Sequence, residues 1–187
     1  MAKARIAACI LAASTALNGC AMSRYDAQNL QASISQPYLL ASGDRVRVIV
    51  FGQENLSNSF SVDGAGNISM PLIGLVRAYG LTTADLSTAI GTKLRDGYLR
   101  DPRVSVEVEA FRPFFVLGEV NVSGQYPFIN GMTVRNAVAV AGGFGPRAWQ
   151  DGVDLTRVVG GRAVTATVPL NFVVRPGDTL AVKERFF

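Results

Sequence analysis

Histidine is absent from this chain of 187 residues, and cysteine occurs only at Cys9 and Cys20. Because histidine is the commonest general base and metal ligand near neutral pH, its absence removes the usual catalytic dyads and zinc sites. No other spacing of acidic or thiol side chains forms a catalytic constellation. We therefore predict a protein that is not an enzyme and that uses no metal and no cofactor.

Long apolar runs are also lacking, apart from one near the N-terminus. Basic residues precede an apolar stretch over 6–17, which is shorter than the ~20 residues that a membrane-spanning helix requires. A basic start, a short apolar centre and small residues after it are the parts of a secretory signal peptide. We predict a signal peptide over 1–19 that is cleaved between Gly19 and Cys20.

The cysteine at this predicted cleavage point changes the interpretation. Leu17, Gly19 and Cys20 resemble the lipobox of bacterial lipoproteins, whose cysteine is acylated and becomes the mature N-terminus. Cleavage would remove Cys9 and leave Cys20 without a partner for an internal disulfide bond. We expect lipid attachment at Cys20; an ordinary signal peptide followed by a chance cysteine is the alternative. The resemblance to lipoproteins implies that Ala21, after the cysteine, directs sorting to the outer membrane.

Charge of either sign is sparse, since only 17% of the residues are charged. The whole chain has 18 Lys and Arg against 14 Asp and Glu, and removal of Lys3 and Arg5 with the signal peptide leaves 16 against 14. The basic residues are scattered, and no run of them forms a patch that could follow a phosphate backbone. We therefore predict no nucleic-acid partner.

Turn residues followed by alternating strands are what the sequence does contain. Gly43-Asp44 precedes an alternating β-branched stretch, and Gly177-Asp178 precedes another one near the C-terminus. A Gly-Asp pair favours a tight turn, and each of the two pairs belongs to its own block of sequence. Two small domains are therefore predicted.

Residues 37–111 are expected to form the first domain, a small sheet covered by one helix. Alternating apolar residues predict several strands, and the strands over 60–63 and 67–70 are expected to pair as a hairpin across Gly64-Ala65-Gly66. Thr82 is placed to cap the helix, whose apolar residues recur at helical spacing.

Residues 112–187 are expected to form the second domain, a sheet that curls around one helix in a β-grasp-like plan. Thr133 is expected near the start of the helix, and Gly142-Gly143 is expected to end it. A short strand is predicted over 126–129. The overall class is α+β, with the signal peptide over 1–19, a lipid-anchored tether over 20–36, and the two domains over 37–111 and 112–187.

The order of these turns and strands, and the sequence motifs at them, resemble the bacterial outer-membrane polysaccharide export proteins. The first block carries the family's Y-x-L-x-x-G-D, V-D-x-x-G-x-I-x-x-P-x-I-G and P-x-V-x-V phrases, and the second resembles the soluble-ligand-binding β-grasp (SLBB) domain. The motif residues, which we interpret as structural turns, are Gly43, Asp44, Asp63, Gly66, Pro71, Gly74, Gly142, Gly143, Gly177 and Asp178.

The resemblance implies an outer-membrane lipoprotein that faces the periplasm and takes part in the export of capsule or exopolysaccharide. It implies a homo-oligomeric ring that gives the polysaccharide a passage and docks onto an inner-membrane co-polymerase or tyrosine-kinase-like protein. No amphipathic segment follows Val182, so we expect the short form of the family, which lacks the C-terminal membrane helix. A lipid anchor alone cannot open a pore, and a separate outer-membrane β-barrel is the expected partner that supplies one.

Two other functions stay open at this point. One is a lipid-anchored periplasmic module that binds a glycan or a small ligand, and the other is a glycan-modifying hydrolase. A glycosidase requires two facing carboxylates. Asp44, Asp63 and Asp178 are the candidates, but each lies in a glycine turn, where its side chain is expected to cap backbone N–H groups.

Sugar contacts have few candidate residues. Trp149, in a polar loop, is the best candidate for stacking on a glycan or for anchoring a subunit interface. Arg45, Arg47 and Arg147 would either line a lumen that carries an acidic polysaccharide or solvate the protein surface.

Overall fold

The computed structural model describes residues 30–185, which form two hydrophobic cores. The predicted signal peptide, its cleavage site and the lipid-attachment site at Cys20 lie outside the described residues. The few helices lie among strands whose sheets are antiparallel apart from one pair, so the predicted α+β class is confirmed. No helix within the described residues is long and apolar enough to cross a membrane.

The first core is built on a three-stranded antiparallel sheet of order β2-β1-β5. The alternation of the sequence explains β1, because Val46, Val48 and Val50 are buried while Arg45 and Arg47 are exposed. The buried face of the sheet packs with the apolar stripe of helix α1. In chain order the elements are β1 (Arg45–Val50), a 3₁₀ turn (Glu54–Leu56), β2 (Asn58–Ser61), β3 (Asn67–Met70), β4 (Gly74–Arg77), α1 (Thr83–Arg95) and β5 (Val104–Ala110).

The predicted pairing of 60–63 with 67–70 is wrong. Strand β2 pairs with β1, and β3 pairs with β4 in a separate two-stranded sheet. The Val62 N–H donates to the Asp44 carbonyl, which keeps this end of the chain beside β1. Beyond Val62 the Asp63 N–H donates to the Asn67 carbonyl, and the Gly66 N–H donates to the Asp63 carbonyl. The glycine turn therefore closes, but the segments on either side of it enter different sheets.

The second core lies under a five-stranded sheet of order β7-β6-β10-β8-β9, in which only β6 and β10 are parallel. Helix α2 packs Val134, Ala137 and Val138 into this core. The elements are β6 (Phe114–Gly118), β7 (Gly124–Tyr126), α2 (Val134–Val140), β8 (Val153–Val159), β9 (Arg162–Val168) and β10 (Thr179–Val182). The short strand expected over 126–129 is misplaced: β7 occupies Gly124–Tyr126 and ends there, because Pro127 has no N–H to continue the ladder.

The tether expected over 20–36 does not extend through its last residues. Residues 30–34 are helical, and Leu30 is fully buried in the core of the second domain. Ile34, one helical turn later, packs against the same core. This segment, which we call the N-terminal strap (residues 30–36), therefore docks on the second domain before the chain enters the first.

Helices α1 and α2 each begin with a capping box. The Thr82 hydroxyl accepts from the Asp85 N–H, and the Asp85 carboxylate accepts from the Thr82 N–H; Thr133 and Asn136 repeat the arrangement at α2. The hydrogen bonds from the Thr82 side chain and backbone lower the pKa of Asp85 below its ordinary value. A carboxylate with a lowered pKa stabilises the fold above its ordinary pKa, so this contribution is lost only as the pH falls through the lowered value.

Substitution of the first cap tests this account of helix α1. Thr82→Ala should lower the free energy of unfolding by about 1 kcal/mol, because an N-cap acceptor is lost. Thr92→Ala, at an exposed position inside the same helix, should leave stability unchanged or raise it. Urea unfolding followed by circular dichroism measures both, and an equal loss for the two variants would contradict the capping role.

Candidate functional site

The two Gly-Asp phrases fold into the same turn. The Asp44 N–H donates to the Ala41 carbonyl at 3.1 Å, and the Ala41 N–H donates back to the Asp44 carboxylate at 2.8 Å. Asp178 and Arg175 repeat these two bonds at 3.1 and 2.7 Å. Gly43 has a φ of 92° and Gly177 a φ of 85°, which glycine adopts at little cost. Both aspartates are buried, so each turn places a carboxylate inside the protein.

Asp44 ties the first domain to the linker that follows it, residues 111–113 between β5 and β6. The Arg112 N–H donates to Asp44 Oδ1 at 2.8 Å, and Arg112 Nη1 lies 3.3 Å from Asp44 Oδ2. The Tyr38 hydroxyl donates to Asp44 Oδ2 at 2.6 Å and accepts from Arg112 Nη1 at 2.9 Å. Burial and the hydrogen bond to Asp44 raise the pKa of the Tyr38 hydroxyl well above its ordinary value, so it remains a neutral donor.

Asp178 holds the corresponding place in the second domain. Arg157 binds its carboxylate with two hydrogen bonds, Nε to Oδ1 at 2.9 Å and Nη2 to Oδ2 at 2.7 Å. Only 5% of the Arg157 side chain and 1% of the Asp178 side chain are exposed. Arg157 also donates to the Val173 carbonyl and to the Ser33 hydroxyl of the strap. Burial raises the pKa of the Asp178 carboxyl, and the hydrogen bonds and charge of Arg157 oppose that rise.

Arg112 lies between the two turns. A Cβ atom at Gly43 would lie 3.5 Å from Arg112 Cβ, and one at Gly177 would lie 2.6 Å from Arg112 Nε. The Gly177 N–H donates to the carbonyl of Pro113, the residue after Arg112. A side chain at position 177 would therefore displace the guanidinium that Asp44 holds.

Aromatic rings connect the two cores beside this arginine. The Phe111 ring packs edge-on against Tyr38, with centroids 4.9 Å apart, and against Phe128, with centroids 5.4 Å apart. Tyr38 packs with the first core and Phe128 with the second. The linker thus joins the domains through both packed rings and charge-assisted hydrogen bonds.

A cleft of about 210 Å³ opens at this junction. Arg112, Arg157 and Arg175 all contribute to its lining. Burial and the charge of Arg157 lower the pKa of Arg175 below its ordinary value. The remaining lining comes mainly from the strap, the β8–β9 turn and the second Gly-Asp turn: Ser33, Gln36, Pro37, Tyr38, Leu39, Val158, Val159, Gly160, Pro176, Gly177 and Asp178.

The other predicted motif residues lie at turns that do not line the cleft. The Asp63 carboxylate accepts from the Asn67 N–H at 2.8 Å, and Gly66, with a φ of 83°, lies against Tyr79. Pro71 and Gly74 bound the turn between β3 and β4, whereas Gly142 and Gly143 follow α2. Gly74, Gly142 and Gly143 all have positive φ.

Trp149 lies on a different surface of the second domain. Its half-buried ring faces the ammonium of Lys183, with Nζ 5.9 Å from the ring centroid, and its backbone N–H donates to the Lys183 carbonyl. Nearby, Arg147 pairs with Glu184 at 3.2 Å. Arg45 pairs with Glu109 on the first sheet. Arg47, two residues after Arg45 on β1, is also exposed. The structure does not bring these candidates together with the cleft.

The sequence reasoning missed Arg112, Arg157 and Arg175. A signal for Arg157 exists, because Val153, Leu155 and Arg157 occupy successive inward positions of an alternating strand. A charged residue at an inward position requires a buried partner. No comparable pattern marks Arg112 or Arg175, whose positions follow from the tertiary arrangement of the linker and the turn.

The site offers binding groups and not an acid–base pair. Asp44 and Asp178 are engaged by arginines and backbone N–H groups, so neither carboxylate is free to transfer protons. Within residues 30–185 no group of three or more acidic, thiol or imidazole side chains could hold a metal ion.

Two family models match the chain in succession. Residues 32–109 match the model described as polysaccharide biosynthesis/export protein, and residues 113–167 match the SLBB domain. The short gap between the two matches contains Arg112, the residue that lies between the Gly-Asp turns.

Curated relatives show the same relationship over part of their length. The exopolysaccharide production protein ExoF of Rhizobium meliloti (strain 1021) is 32% identical over 135 residues, which cover 71% of this chain and 32% of that protein. The polysialic acid transport protein KpsD of Escherichia coli is 27% identical over 111 residues, covering 58% of this chain and 20% of that protein. The chain thus spans about a third of the first relative and a fifth of the second.

The buried pair gives a test of this junction. Arg157→Met should lower the free energy of unfolding by about 3–5 kcal/mol, because it leaves the Asp178 carboxylate buried without its partner. The double variant Arg157→Met/Asp178→Leu should lose less than the sum of its single variants. Arg45→Met, which removes an exposed ion pair, is the control and should cost less than about 1 kcal/mol. The free energies of unfolding are measured in urea. A loss in Arg157→Met no larger than the loss in Arg45→Met would contradict the role of the pair.

Proposed function

The chain belongs to the polysaccharide biosynthesis/export protein family, and from that premise we propose that it serves in the export of a polysaccharide across the bacterial envelope. The observation that carries the proposal is the succession of an export domain and an SLBB domain over 32–109 and 113–167. The names of the relatives, exopolysaccharide production protein and polysialic acid transport protein, support a capsular or exopolysaccharide substrate. In this role the protein acts by assembly and not by chemistry.

A closed ring of subunits is the assembly that we propose. Strand β6 leaves Phe115 and Leu117 on the outer face of the second sheet, 41% and 45% exposed. In the first domain Phe51, Leu72 and Leu75 are exposed by 67%, 59% and 59%. Exposed apolar groups of this size favour association. Because they lie on two different domains, they suit a head-to-tail contact, which closes into a ring when the rotation permits.

Leu72 adds a conformational reason to regard the first-domain surface as functional. It is the only residue other than glycine with positive φ among the described residues 30–185, with a φ of 68° in the turn between β3 and β4. A bulky residue rarely adopts this conformation, and such strain concentrates at functional surfaces. The turn presents the Leu72 side chain to solvent, where we propose that a neighbouring subunit covers it.

The ring is proposed to be anchored at the outer membrane by lipid on Cys20 and to face the periplasm. Residues 17–20 carry the lipobox-like pattern that supports this location. From the periplasm the ring would meet an inner-membrane co-polymerase or tyrosine-kinase-like protein, which delivers the polysaccharide to its passage.

A second candidate function is a lipid-anchored periplasmic module that binds a glycan or a small ligand without forming a ring. The cleft at the domain junction, with its three arginines, favours this alternative. Oligomeric state separates the two functions, because a conduit requires a closed ring and a binding module does not.

The mass of the assembled protein is the first test. Full-length protein extracted in mild detergent should give a discrete ring by native mass spectrometry. Leu117→Glu should reduce it to smaller species, because it places a charge within the proposed contact. Val140→Glu, at an exposed apolar position on α2, is the matched control and should leave the ring intact. A monomer at every concentration, with its lipid intact, would favour the binding module.

The anchor is tested separately. Cys20→Ser should abolish labelling with radioactive fatty acid and release the protein from the membrane fraction, because its acceptor thiol is lost. Labelling and fractionation of cells that express each form measure both effects. Unchanged retention in the membrane would show that some other group provides the anchor.

A further inference from the structure

The cleft at the domain junction has an excess of positive charge. Its lining includes the guanidinium groups of Arg112, Arg157 and Arg175 and a single carboxylate, that of Asp178. Arg157 is paired with Asp178, and Arg112 is paired with Asp44. Arg175 is therefore left without a carboxylate of its own, although the charge of the nearby Asp178 also favours its charged form.

Arg175 is held in position for a further partner. It forms no ion pair with any residue between 30 and 185. One Nη group donates to the Gln36 carbonyl of the strap, which fixes the side chain at the cleft. Among the contacts within residues 30–185, this bond leaves most of the five N–H donors of the guanidinium for another acceptor. Burial and the charge of Arg157 already disfavour its charged form, and a bound anion would offset both.

The rim of the cleft is partly apolar, in contrast to the arginines that line it. Leu39 and Val158 line it and are 47% and 65% exposed, so an apolar edge lies beside the arginines. The volume of about 210 Å³ is below the ~300–1,000 Å³ of pockets that hold drug-sized ligands. The cleft therefore fits a small group that combines a negative charge with an apolar face. A single sugar ring that bears a carboxylate has both properties.

We propose that this cleft binds one acidic sugar unit, whose carboxylate pairs with Arg175 and whose ring lies against Leu39 and Val158. The planar guanidinium can meet a carboxylate with two parallel hydrogen bonds, which gives orientation as well as affinity. The inference rests on the proposed function, because such a unit would belong to the exported polysaccharide. A free inorganic anion offers the same charge without the sugar ring, so a comparison of acidic sugar with phosphate distinguishes the two kinds of ligand.

Three small molecules test the chemistry of the cleft. Full-length protein in mild detergent is titrated with glucuronate, glucose and inorganic phosphate, and binding is followed by amide chemical shifts of residues around the cleft. We expect glucuronate to bind at least tenfold more tightly than glucose or phosphate. Phosphate that binds as tightly as glucuronate would overturn the assignment to a sugar, and glucose that binds as tightly would overturn the role of the charge.

Variants locate the binding on Arg175. Arg175→Gln should weaken glucuronate binding about tenfold or more, the loss expected when a hydrogen bond between charged groups is removed. Arg135→Gln, at an exposed position on α2 outside the cleft lining, is the matched control and should bind normally. Val158→Glu places a carboxylate on the exposed rim without touching the buried pair, and it should also weaken binding. Unchanged affinity in Arg175→Gln or in Val158→Glu would overturn the proposal.

The same preparations distinguish this inference from the proposed function. Native mass spectrometry of Arg175→Gln should show the same ring as the parent protein, because Arg175 lies outside the proposed subunit contacts. A parent ring that does not bind glucuronate would overturn the subsite alone. A parent monomer that binds glucuronate through Arg175 would overturn the ring and leave the subsite standing.

Discussion

Two buried carboxylates, Asp44 and Asp178, are the constraint on which the rest of the structure depends. A carboxylate without water is costly unless hydrogen bonds and an opposite charge replace its hydration. Each aspartate obtains one bond from its own turn, and the remaining partners come from distant parts of the chain. Asp44 accepts hydrogen bonds from Tyr38 and from Arg112 of the linker. Asp178 accepts them from Arg157 on β8. Through Arg157 the second aspartate also fixes the loop at Val173 and the strap at Ser33. Satisfying two charges therefore organises the junction of the two domains.

This arrangement explains how a two-domain chain can act as a defined building unit. Relative motion is the ordinary expectation for domains joined by a short linker. Here Arg112 contacts both turns, and Phe111 packs against a ring from each core, so movement of one domain would break contacts at the other. The proposed ring would need such a fixed geometry, because its closure depends on a constant angle between neighbouring subunits. The fixed junction then holds the strained turn at Leu72 and the exposed face of β6 at a constant distance and angle from each other.

Local chemistry was largely predictable from the sequence, and long-range choices were not. The alternation in β1, the helix cap at Thr82 and the start of the second helix near Thr133 all follow from patterns a few residues long. The partner of residues 58–61 could not be predicted in this way, because no short pattern marks their pairing with β1, which the bond from the Val62 N–H to the Asp44 carbonyl extends. Polar composition suggested a tether through residue 36, whereas burial of Leu30 depends on a surface formed far along the chain. The cleft was missed for the same reason, since Arg112, Arg157 and Arg175 meet only after both domains have folded.

The docking of Leu30 also limits where the protein can stand. If lipid is attached at Cys20, the chain takes ten Cα–Cα steps from that residue to Leu30, whose side chain is buried in the second core. A chain of that length reaches about 35 Å at full extension. With the proposed lipid anchor at the outer membrane, the second domain would therefore be confined to a layer close to the inner leaflet of that membrane, whatever assembly it enters. A loose tether through residue 36 would have added roughly 20 Å to that reach. With the proposed anchor, docking of the strap would limit how far the second domain can stand from the membrane.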